Sequence, residues 1–184
     1  MKKDVPLTQF HRIINHGSVS LVTSQIEGHL PNILAVAWIM PVSLVPPLVG
    51  ISIAKGHFSH QLISKSGEFV INVPSLAIVS KVLICGKVSG REVNKFERAK
   101  LTPILSEKVL PPLIQECIGH LECRVEQQVR AGDHSLFIGR VLKACAEEGV
   151  FEGIWQVDRK GGEGLHHLGG EWFAISREKF SATT

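Results

Sequence analysis

The chain has 184 residues, 44% of them apolar and 20% charged, with a formal net charge of +3 and a mean hydropathy of +0.16. Disorder needs low hydrophobicity and high net charge, so a folded single domain over residues 1–184 is expected instead. An excess of three positive charges, with no Tyr, 8 Phe and 3 Trp, is too thin for a nucleic-acid surface or a basic membrane patch.

In chain order, Met1-Lys2-Lys3-Asp4 lacks the apolar block of a signal peptide, and a cytoplasmic protein is expected. Ser18-Val19-Ser20-Leu21-Val22-Thr23-Ser24 alternates small polar and apolar residues, as a half-buried strand does. From Gly28 to Ala54 there is no Asp, Glu, Lys or Arg, a stretch long enough for a membrane helix. Pro31, Pro41, Pro46 and Pro47 interrupt it, and lipid cannot satisfy the backbone groups they free. Two buried strands are predicted there, over 32–40 and 48–54, joined by the loop Pro41-Val42-Ser43-Leu44-Val45-Pro46-Pro47. A short helix follows over 58–65, then a strand over 68–73 ended by Pro74, then a helix over 75–83 with Ser75 at its N-cap.

Residues 86–113 carry Lys87, Arg91, Lys95, Arg98, Lys100 and Lys108 among small residues and Pro103, Pro111 and Pro112. This pattern predicts a long functional loop with one helical turn. Two long strands follow over 119–130 and 134–145, joined by the hairpin turn Ala131-Gly132-Asp133-His134. Gly161-Gly162-Glu163-Gly164 is a flexible turn before 165–175. Short strands joined by hairpins predict a mainly β barrel with helices packed outside it.

Several chemistries lack their motifs. There is no G-x-G-x-x-G, no P-loop and no G-x-S-x-G. Cys85, Cys117, Cys123 and Cys145 form no C-x-x-C pair and read as buried free thiols of a reducing compartment. His57 with His60, and His166 with His167, lack an accompanying Cys or carboxylate at ligand spacing, so no metal site is expected. The informative cluster is Ala54-Lys55-Gly56-His57-Phe58-Ser59-His60, where a strand ends and a helix begins. Free N–H groups there, with Lys55 and Ser59, suit an anion; an ordinary helix cap with solvated basic residues is the alternative. Lys95 admits the same two readings. Combined with the apolar Trp38 and Met40 and a proline-stiffened loop, these groups suit a planar, phosphorylated cofactor.

Five segments in order carry a family resemblance. They are Ala35-Val36-Ala37-Trp38-Ile39-Met40-Pro41-Val42-Ser43, Pro46-Pro47-Leu48-Val49-Gly50-Ile51-Ser52-Ile53, Gly67-Glu68-Phe69-Val70-Ile71-Asn72-Val73-Pro74, Lys95-Phe96, and Gly132-Asp133-His134-Ser135-Leu136-Phe137-Ile138-Gly139-Arg140-Val141. Together they resemble the flavin reductase-like family, nearest to its flavoredoxin branch, and Leu165-His166-His167-Leu168-Gly169-Gly170 resembles that branch's C-terminal segment. The resemblance implies an FMN-binding split β-barrel with flanking α-helices, a homodimer, and FMN reduced by NADH or NADPH. It implies a flavin along Trp38, Ile39, Met40, Pro41, Val42 and Ser43, with Asn32 and Ala54 lining it and Lys55 near the phosphate. It also implies phosphate contacts from Ser59 and Lys95, and a place near the nicotinamide for His134. No catalytic acid or base is implied, since the flavin carries the redox chemistry. The electron partner could be free flavin, a monooxygenase or an electron-transfer protein. A flavin- or haem-binding barrel without turnover is the alternative, separated by hydride transfer from NADH or NADPH.

Overall fold

The computed structural model describes every residue except Met1, Lys3, Thr183 and Thr184. A short helix α1 (His11–Ile14) leads to strands β1 (Ser20–Ser24), β2 (Asn32–Val36), β3 (Ile39–Ser43) and β4 (Leu48–Ala54). Helix α2 (Phe58–Ser66), strand β5 (Glu68–Val73) and helices α3 (Val79–Lys87) and α4 (Lys95–Ala99) follow. The short strands β6 (Pro103–Ile104) and β7 (Leu113–Ile114) precede the long hairpin β8 (Gly119–Ala131) and β9 (His134–Ala146). A separate hairpin, β10 (Leu165–Gly169) and β11 (Trp172–Ile175), ends the chain.

Seven strands form one antiparallel sheet in the order β2-β1-β5-β8-β9-β4-β3. Its two edge strands, β2 and β3, are consecutive in sequence, with only Ala37 and Trp38 between them. The sheet must therefore curl until its edges meet, which makes a barrel split at Ala37-Trp38. The Ser52 N–H donates to the Trp38 carbonyl (2.9 Å), continuing the β3–β4 pairing up to that split.

Alternation places side chains on two sides of the wall. Val22, Ile51, Ile53, Phe69, Ile71 and Phe137 fill the barrel, while Leu21, Ile33, Val82, Cys85 and Phe96 pack between sheet and helices. Both faces of β1 are covered, so all five of its residues are buried. Inside the barrel a Cβ on Gly139 would lie 2.6 Å from the Phe69 ring, so only glycine leaves room for that ring. Gly132 takes φ +58° at the first of the two residues joining β8 to β9, a conformation glycine adopts without strain.

Four local expectations change. The strand expected over 32–40 breaks at Ala37-Trp38, where the barrel splits, and β3 takes in Pro41, Val42 and Ser43, expected in a loop. Ser75 stands at the N-cap position of a 3-10 turn, Leu76–Ile78, that precedes α3, but its side chain makes no cap bond and its backbone bridges to Gly164. In the basic region Asn94 is the cap, its Oδ1 accepting from the Phe96 N–H (3.1 Å) and the Glu97 N–H (3.5 Å). Cys85, Cys117 and Cys123 are buried free thiols, but Cys145 is exposed, because the end of β9 runs beyond the packed part of the barrel. Among the described residues no helix is long and apolar enough to cross a membrane.

Candidate functional site

The beginning of β2, the first turn of α2, the first residue of α4 and the end of α3 with the loop that follows it (86–91) enclose a cavity of about 270 Å³. Three polar side chains reach it although each is almost fully buried: Asn32 at 4%, Ser59 at 1% and Lys95 at 3% exposure. The Asn32 Nδ2 donates to Ser59 Oγ (2.7 Å), so the Ser59 hydroxyl proton is free to point elsewhere. The Lys95 ammonium donates to the Cys85 carbonyl (2.8 Å), which leaves two of its three N–H bonds for another acceptor. No carboxylate pairs with Lys95 among the described residues. Burial pushes the Lys95 pKa down, against a smaller opposing effect of Cys85. Burial likewise pushes the Cys85 thiol up to about 11, although Lys95 pulls it down.

An unpaired ammonium in such a place costs several kcal/mol in desolvation. An anion with several acceptor oxygens removes that cost, and the rest of the lining agrees. Lys87, Arg91 and His57 share the cavity, and no carboxylate lines it. Arg91 is held by the Gly56 carbonyl (3.1 Å) and lies 5.4 Å from the centre of the Phe58 ring. Asn32 Oδ1 is buried without a donor, directly beneath Gly90, where a Cβ would lie 2.0 Å from it. Only glycine can close the cavity there.

Leu34 and His57 also line a second cavity of about 350 Å³, so the two cavities are neighbours. Its walls are the end of β2 through Trp38, the end of β4 (Ser52, Ile53, Ala54), His134, the N-terminal residues His11, Arg12 and Asn15, and the turn at Gly169. The Trp38 and His134 rings stack at 4.8 Å and 24°. The Asp133 carboxylate holds His134 Nδ1 at 2.7 Å. With its amide oriented to satisfy both neighbours, Asn15 donates to the Ala37 carbonyl (3.1 Å) and accepts from Trp38 Nε1 (2.9 Å). Burial, aided by Lys95, His134 and Arg91, holds the His57 pKa below its ordinary value. That ring is therefore neutral near pH 7.

The expected site residues divide between three places. Asn32, Ser59 and Lys95 meet in the cationic cavity, and Trp38, Ala54 and His134 in the second. Ile39 and Met40 line a third cavity of about 360 Å³ with Phe10, Ile14, Gly50 and Leu136. Pro41, Val42 and Ser43 line none of these three, although Pro41 and Ser43 pair with β4. Lys55 donates to the Gly132 carbonyl and so steadies the hairpin turn. His60 binds Ser135 Oγ (2.9 Å), whereas His166 binds Ser176 Oγ (2.8 Å) and His167 the Gly170 carbonyl (3.2 Å). Sequence reasoning did not place Leu34, Gly90, Arg12 or Asn15 in the site. Arg91 carried a signal, as part of the basic loop.

A split barrel with a buried cation-lined cavity beside an aromatic one has the groups to hold a planar, phosphorylated cofactor. Residues 13–162 match the flavin reductase like domain family, and the chain belongs to that family. An uncharacterized Escherichia coli (strain K12) protein is 35% identical over 188 residues, spanning 99% of this chain and 100% of its own. The FMN-binding domain of a flavin reductases-like enzyme from Shewanella baltica OS155 superposes with a TM-score of 0.82 at 28% identity, over 97% of this chain and 96% of that one. Flavoredoxin of Desulfovibrio vulgaris (Miyazaki F) shares the fold at a TM-score of 0.84 and 23% identity, over 100% and 97% of the two chains. The function is thus a flavin-related redox one.

Proposed function

We propose that this chain is an FMN-dependent oxidoreductase that takes electrons from NADH, NADPH or a protein donor and passes them to flavin or another acceptor. One observation carries the reading: the buried Lys95 ammonium, with Asn32 and Ser59, faces a cavity that shares the walls Leu34 and His57 with the Trp38–His134 cleft. Lys95 and Ser59 would hold the phosphate by charge-assisted hydrogen bonds, while Leu34 and His57 would flank the passage to the ring. Trp38, stacked on His134 and fixed by Asn15, would give the ring a wall already in place before binding. When bound, FMN supplies the capacity to accept and release two electrons. The protein then has only to orient it and admit its partners.

A homodimer is part of this proposal. Phe10, Ile14 and Met40 are 56%, 74% and 51% exposed around the third cavity, and Leu44 and Val45 are 87% and 92% exposed at the turn after β3. A second copy covering that surface would remove it from water. The acceptor, whether free flavin, a monooxygenase or an electron-transfer protein, then meets the flavin from the open side of the cleft.

The test is a visible spectrum of the purified protein after incubation with FMN, followed by anaerobic NADH or NADPH, with reduced ferredoxin as an alternative donor. Bound flavin that bleaches with one of these donors is expected. A protein that ignores added FMN overturns the reading; bound FMN that no donor reduces restricts it to a binding module.

A further inference from the structure

The second cavity has an uneven charge. Its lining includes no carboxylate, and Arg12 is the one permanently charged residue among those that wall it. Asp133, which holds the wall residue His134, is 91% exposed at its side chain and directed at that ring, and Glu171, next to the wall residue Gly170, is paired with Lys87. His57 is held neutral by burial. Among the described residues no carboxylate pairs with Arg12.

The Arg12 guanidinium packs beside the C-terminal hairpin. It lies against Gly169, at the turn between β10 and β11, where a Cβ would meet Nε at 3.4 Å and Cζ at 3.5 Å. Gly169 takes φ +122° there, which a side chain would resist. A strand register shift between His167 and Gly169 forms this turn. The two ends of the chain thus meet at the cavity wall, where His166 Nδ1 also bonds the His16 carbonyl (3.1 Å) and the His167 N–H donates to the Gly17 carbonyl (3.3 Å).

We propose that Arg12 sets the reduction potential of the flavin in this cavity by favouring its reduced form. The inference rests on the FMN reading above. Two electrons and one proton from a donor leave the isoalloxazine with one more negative charge than before. A permanent cation beside it lowers the energy of that state more than of the neutral oxidised ring. Arg12 acts by its charge and transfers nothing.

The experiment compares the wild type with Arg12→Gln and Arg12→Lys. Oxidised FMN is titrated by quenching of its fluorescence, and the midpoint potential is measured by anaerobic reduction beside an equilibrating dye. Arg12 is exposed to solvent, so both variants keep their fold. In Arg12→Gln, oxidised FMN should bind nearly as in the wild type while the reduced form binds about tenfold less tightly. For a two-electron couple that is a potential lower by about 30 mV. Arg12→Lys should recover most of the loss. A wild-type potential in Arg12→Gln with FMN bound overturns the proposal. So does an equal fall in Arg12→Lys, which would make packing on Gly169 the cause. If the wild type binds no FMN, the underlying functional reading has failed, a result distinct from either of these.

Discussion

The two neighbouring cavities are built in opposite ways. The cationic one is made of polar groups buried in the interior: Asn32, Ser59 and Lys95 are each at most 4% exposed, and their partners are the main sheet and the helices packed on it. The aromatic one is walled partly by the two chain ends, α1 and the β10–β11 turn, and its Arg12 and Gly169 touch solvent. Rigid, desolvated donors give strong binding because little reorganisation is needed. Segments held by few contacts open at low cost. In the proposed FMN reading, the cationic cavity would therefore supply affinity and the aromatic one exchange with donor and acceptor.

Losing the Lys95 charge should test that division most severely. Lys95→Ala is expected to weaken FMN binding by roughly 1.5–3 kcal/mol, the range for a hydrogen bond to a charged group, as read by fluorescence titration. Unchanged affinity would place the affinity elsewhere. Gly90→Ala comes next: its Cβ would fall 2.0 Å from Asn32 Oδ1, and displacing Asn32 should cost about 1–3 kcal/mol, as overpacking does. The same titration, with a melting curve, separates lost binding from lost folding. At the other end, His134→Ala removes a stacked ring from Trp38. A loss of only about 0.5–1.5 kcal/mol in FMN affinity is expected; a larger one would move the weight of binding to the ring.

The smallest effect concerns pH. Burial lowers the pKa of His57, His60 and His120. Below about 6.5 the unfolded chain takes up protons that the folded chain resists. The stability these histidines allow is present above that value and is lost as pH falls through their lower folded values. Melting temperature without cofactor should fall between about pH 7.5 and 5.5, and His57→Gln should flatten the fall. A curve that rises toward acid would contradict the burial of these rings.

Much of the fold is legible in short-range patterns. The hairpin of β8 and β9 follows from two long β-forming runs around Gly132-Asp133, and the strand at 68–73 from its apolar run before Pro74. The uncharged stretch 28–54 is visible as strands because its prolines exclude a helix. The break at Ala37-Trp38 is not visible, since those residues continue an apolar run and only barrel closure requires a split there. Ser75 looks like a cap by residue type, yet its side chain makes no cap bond and its backbone pairs with Gly164, far along the chain. In the site, Ser59 and Lys95 stand out by type and place. Arg12 and Asn15 do not, because what gives them a role is a contact between the two ends of the chain.

The weak charge and apolar surplus of this sequence determined a mainly β chain that buries both faces of its strands, since local alternation and turn chemistry act over a few residues. Whether a loop lysine is solvated or buried is not a local property. Tertiary structure decided that Lys95 stands at 3% exposure without a carboxylate, because α4, residues 86–91 and β2 close around it from separate parts of the chain. Desolvation then turns an ordinary positive charge into a demand for an anion.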